Sequence, residues 1–124
     1  MTDTHIAHWD EVEPRRSPKP GAGGDWSFLG EAAGSIGIGV NRIRLGPDEV
    51  STPAHVHGAD EETYFVLGGS GLSWHDGETF EIRPGDTIVH PPRTKAHTLR
   101  GGPEGLDVLA YGPRTRIGGG YLPK

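Results

Sequence analysis

From about residue 35 onward, short runs rich in Val, Ile, Thr, Tyr and Phe are cut at close intervals by turn chemistry. The separators are Gly68-Gly69, His75-Asp76-Gly77, Pro84-Gly85-Asp86, Pro91-Pro92 and Gly101-Gly102-Pro103. No window sustains apolar residues at a 3.6-residue period, so no long helix is expected. Strands are expected at 35–45 and at approximately 53–57, 62–67, 71–74, 78–82, 86–90, 96–99 and 107–111. Asp76-Gly77, set between two of these runs, is a tight-hairpin signal. Within 35–45 the apolar residues change parity, from Ile36, Ile38 and Val40 to Ile43 and Leu45, so a bulge or twist is expected near Val40. About eight strands without crossover helices must pair antiparallel and close into an all-β sandwich or barrel.

A chain of 124 residues builds one core. Its 21 glycines, 11 prolines and 32% apolar content would elsewhere suggest disorder, but here they fall where strand runs need turns. Residues 1–35 form the exception. They hold a polar, proline-rich stretch (13–20) and a glycine cluster (21–24), with Trp9, Trp26 and Phe28 as the large apolar anchors. A loosely structured N-terminal arm is expected there, its aromatics packing on the barrel or on a second subunit, and residues 36–124 are expected to form the barrel. No internal repeat is visible.

The formal charge of −5, without a basic stripe, argues against a nucleic-acid partner. No apolar stretch approaches the roughly 20 residues of a membrane span, and the N-terminus lacks a signal-peptide pattern. With no cysteine in the chain, any metal must be held by oxygen and imidazole ligands. A cytoplasmic location is expected.

The seven histidines are unevenly placed. His55 and His57 are two apart, so in a strand both imidazoles face one side. A short turn leads to Glu61-Glu62, one of which can return to the same face, and His97 lies inside another expected strand. Imidazoles with a carboxylate and no thiolate suit first-row divalent metals. Two histidines on an exposed strand are also ordinary solvated polar residues, and spacing alone leaves these readings balanced. His90 ends a strand beside Pro91 and could reach the cavity, but a rim or surface role is the first reading. His75, at a hairpin tip, is expected to be solvated. Arg42 shares a strand face with Arg44; this is either a solvated face or a carboxylate-binding arginine inside the barrel.

The pattern His55-x-His57-x4-Glu62-x6-Gly69, followed through Tyr64-Phe65-Val66-Leu67, resembles the first motif of the cupin superfamily. The run from Pro84-Gly85-Asp86 through Pro91-Pro92 to His97 resembles the second. The likeness covers roughly residues 36–112, and the stretch 96–112 is similar to small single-domain cupins that share no defined function. The resemblance implies a jelly-roll β-barrel (double-stranded β-helix) and a single bound divalent transition metal: Mn, Fe, Ni, Co or Zn. It implies His55, His57, Glu62 and His97 as the ligands. Glu62 is favoured over Glu61 because it stands seven residues before Gly69, the spacing of the motif. Arg93 replaces a usual glycine, and one extra residue separates Pro92 from His97. If that insertion bulges outward, His97 keeps its place; otherwise the site has three protein ligands.

Tyr64, His90 and Arg42 are the candidate substrate-binding residues, Tyr64 because it shares the face of Glu62. Cupins use such sites for dioxygenation, decarboxylation, isomerisation or simple binding of a small ligand, and fold alone does not choose among them. The chain has no nucleophile motif, phosphate loop or cofactor fingerprint, so any chemistry must come from the metal. A metal-dependent enzyme acting on a small oxygen-rich organic molecule is the first expectation. A non-catalytic small-ligand binding or sensing module is the second, and a structural barrel with a vestigial site the third. Homodimerisation is expected.

Overall fold

The computed structural model describes residues 4–18, 20–52, 60–92 and 96–113. Their elements are β1 (Asp25–Phe28), a single helical turn α1 (Leu29–Ala32), β2 (Ile38–Leu45), β3 (Glu62–His75), β4 (Glu78–Ile82), β5 (Thr87–His90) and β6 (His97–Pro113). A short 3-10 turn, Trp9–Glu11, precedes them. All strand pairings are antiparallel, in the order β1-β2-β6-β3-β4, with β5 added to the first half of β3. The fold is the all-β jelly roll that the turn pattern and the two motifs imply. No helix among the described residues is long and apolar enough to cross a membrane.

Two long bent strands organise the molecule. The first half of β3 pairs with β5 and the end of β6, and its second half pairs with β4 and the start of β6. Register shifts at Val66/Gly68 and Gly69/Gly71 mark the bend. Gly69 adopts a positive φ of 77°, and a Cβ there would collide with the carbonyl oxygen of Gly105 on β6. Glycine is therefore what lets the two backbones turn the corner together. The bend directs both ends of β3, Glu62 and His75, toward one interior.

That interior is filled by alternate residues of each strand, as the two-residue period of a strand requires. Ile43, Leu45, Tyr64, Val66, Ile82, Leu99, Leu106, Val108 and Ala110 form the buried cluster with Trp26 and Phe28. Asp76 (φ 45°) and Gly77 (φ 94°) close the β3–β4 hairpin as a two-residue turn with both φ values positive. Two expectations are corrected. β2 pairs with β6 residue by residue from Ile38 to Leu45 without a register shift, so there is no bulge at Val40. The parity change arises because Ile36 and Ile38 are 77% and 56% exposed and never enter the core. Secondly, the segment read as an arm contributes β1, whose register sets Trp26 beside Ile43 and Phe28 beside Asn41. Arg16 fastens this segment further through Asp25 and Glu49. The strand expected at 53–57 lies outside the described residues.

Candidate metal centre

The first residue of β3 and the first of β6 meet inside the barrel. Glu62 is 6% exposed and His97 3% exposed, with Glu62 Oε1 and His97 Nε2 3.1 Å apart. Two residues on, Tyr64 lies on the same inward face, and its hydroxyl donates to the same Oε1 at 2.6 Å. A carboxylate taken out of water loses solvation that only strong hydrogen bonds or a cation restore. Here a phenol and an imidazole converge on one of its oxygens. Burial, and then the charge and acceptance of Glu62, push the Tyr64 hydroxyl well above the ordinary tyrosine value of 10.0. It therefore stays a proton donor to the carboxylate.

A layer of aromatic nitrogen rings extends this core. β5 pairs His90 with Glu62 across the backbone, and the His90 ring, 5% exposed, stacks on that of His97 at 3.7 Å with planes 5° apart. Tyr64 meets His90 edge-on at 5.6 Å. His75 lies beyond His90 at 4.8 Å, its Nε2 within 2.6 Å of the buried Ser73 hydroxyl and its ring against Phe80. His75 is thus half-buried on the inner face rather than solvated at a hairpin tip. The signal that could have found it is strand parity: the turn occupies only Asp76 and Gly77, so His75 keeps the inward alternation of Ser73.

Of the residues singled out in the sequence, Glu62, His97, Tyr64 and His90 are therefore brought together. Arg42 is not. It sits on the outer face of β2, between inward-facing Asn41 and Ile43. There its guanidinium makes a two-pronged pair with Asp107 at 3.0 and 2.7 Å and lies 3.6 Å from the centre of the Trp9 ring. The hydrogen bonds of Asp107 hold Arg42 above even the ordinary arginine range. His55, His57 and the insertion at 93–95 lie outside the described residues. Among the described residues no group of three metal-binding side chains converges. The two that do, a buried carboxylate and a buried imidazole, are donors of the type that first-row divalent ions accept, and they lie on the strands where the motifs place them. On the chemistry of its donors the site fits such an ion. A separate cleft of about 670 Å³, lined by Asp48, Arg83, Asp86 and Arg100 among others, contains none of these residues.

Residues 41–106 match the family model of the cupin domain. The chain is a cupin. A sugar phosphate isomerase of the cupin superfamily from Silicibacter pomeroyi superposes with a TM-score of 0.81 at 28% identity, over 89% of this cupin and 76% of that chain. The polyketide cyclase RemF from Streptomyces resistomycificus superposes with a TM-score of 0.78 at 26% identity, over 90% and 80% of the two chains. In sequence, an uncharacterized protein of Methanocaldococcus jannaschii is 49% identical over 43 residues. That match spans 35% of this cupin and 34% of the relative, about a third of each.

Proposed function

We propose that this cupin is a metal-dependent enzyme acting on a small oxygen-rich organic molecule. One first-row divalent ion would be held by His55, His57, Glu62 and His97. The observation that carries the reading is the buried meeting of Glu62 and His97 at 3.1 Å, two residues whose backbones pair elsewhere, Glu62 with His90 and His97 with His75, so that only their side chains meet inside the barrel. Such an ion supplies Lewis acidity toward a substrate oxygen. The chain's own residues do the rest. Glu62 offers the negative charge that balances the cation. His90 keeps the His97 ring in one plane by stacking on it. His75, steadied by Ser73, is the half-buried acid–base group that the sequence did not reveal, and it makes turnover a better reading than passive binding.

Support for the substrate class comes from the Silicibacter neighbour, a sugar phosphate isomerase. A hydroxy-carbonyl compound is a fitting bidentate oxygen ligand, and we place this cupin with decarboxylase-, oxygenase- or isomerase-type activities on such molecules. The test is elemental analysis of protein purified without a metal-affinity column, then a turnover screen of sugar phosphates and hydroxy acids with the metal found. About one divalent ion per chain and turnover of one compound class are expected. Tight binding without turnover would make the protein a ligand-binding module instead, and a metal-free protein would overturn the reading. We further propose a homodimer, supported by the exposure of Ile38, Val89 and Tyr111 on the outer sheet face. Sedimentation showing only monomer at high micromolar concentration would contradict it.

A further inference from the structure

We propose that Tyr64 is a positioning residue for the metal centre, its hydroxyl holding Glu62 Oε1 so that the carboxylate binds the ion through its other oxygen alone. The inference rests on the metal-centre reading above, and it gives Tyr64 a different role from the substrate contact expected from sequence. Three observations carry it. Tyr64 and Glu62 are two apart on one strand, so their side chains leave the same face, and the donor meets Oε1 at 2.6 Å, a short charge-assisted hydrogen bond. The ring cannot swing away. It is 4% exposed, packed edge-on against His90 and His97, and its backbone is locked between β5 and β6 at Ile88 and Ala110.

The two contacts on Oε1 differ in what metal entry does to them. The His97 nitrogen at 3.1 Å is a ligand atom, so the N–H it donates to Glu62 must give up its proton before its lone pair can serve the ion. The phenol is no competitor for the ion and can keep its bond throughout. With one oxygen engaged by the phenol, one-oxygen binding would be favoured over bidentate binding, which would leave one more coordination position for substrate. Outer partners that orient a ligand in this way are typically worth 10- to 100-fold in metal affinity.

The experiment compares wild type, Tyr64→Phe and Glu62→Gln, each stripped of metal and checked for folding by circular dichroism. Mn(II) affinity is read by electron paramagnetic resonance and coordination by the visible spectrum of the Co(II) form. For Tyr64→Phe we expect roughly 10- to 100-fold weaker Mn(II) binding and a Co(II) spectrum altered in intensity, with the metal-free fold intact. Wild-type affinity and an unchanged Co(II) spectrum in Tyr64→Phe overturn the positioning role alone, provided that Glu62→Gln loses the metal. If wild type binds no divalent ion, or Glu62→Gln binds as tightly as wild type, the metal centre itself is refuted. Should Tyr64→Phe fail to fold, the carboxylate stretches of Mn-loaded wild type labelled with ¹³C-glutamate report the same point. A wide splitting, as for one-oxygen binding, supports the role, and a narrow one overturns it.

Discussion

Glu61 and Glu62 carry the same side chain, yet Glu62 is buried beside Tyr64 and His97 while Glu61 is exposed. At the proposed metal centre, Glu62→Gln would remove a ligand and the charge that balances the cation, so dialysed protein should lose its metal on elemental analysis. Glu61→Gln should retain the wild-type content, and the reverse result would mean that the wrong register had been assigned. Tyr64 adds a pH signature. Its hydroxyl is raised well above 10.0 in the fold, so the folded chain stays protonated where an unfolded tyrosine ionises. This contribution to stability is complete below about pH 10 and is lost as pH rises beyond it. Urea unfolding of metal-free protein should show this alkaline loss, and Tyr64→Phe should show less of it. The shared inward face of Glu62 and Tyr64 was legible because motif spacing and strand parity point the same way. Arg42 was not, since nothing in its own strand announces Asp107, 65 residues later, as its partner.

Glycine was the main source of error among the elements. Gly68-Gly69 and Gly101-Gly102-Pro103 read as turns that separate strands, whereas β3 and β6 run through them as continuous bent strands. A glycine run signals that the backbone must do something a side chain forbids, and turning back and bending share that signal. What decides between them is the partner strand, which is distant in sequence. Gly69→Ala should therefore act on the bend and not on a loop. With a positive φ and no room beside Gly105, it should cost ~2 kcal/mol or more in urea unfolding, and a neutral result would mean that the corner is not tightly packed. β1 escaped notice for the opposite reason. Four residues after a glycine cluster show too little alternation to stand out, and their strand character comes from pairing with β2.

For the whole molecule, a metal would tie together parts of the chain that the fold alone holds in register. Glu62 opens β3 and His97 opens β6, 35 residues later, and His55 and His57 would join them from the segment before β3. An unfolded chain cannot bring such donors to one point, so an ion binding them stabilises the folded state selectively. At 100 times its dissociation constant, one bound ion contributes about 2.7 kcal/mol. For a domain of this size that corresponds to a rise in melting temperature on the order of 10 °C. Scanning calorimetry of the stripped protein with Mn(II) or Co(II) added should show such an upward shift, reversed by a chelator and absent in Glu62→Gln. Magnesium, which keeps its waters and seldom accepts imidazole, should produce little of it. An equal shift with magnesium would point to general charge screening of an acidic protein, and a shift that survives in Glu62→Gln would place the ion elsewhere on the molecule.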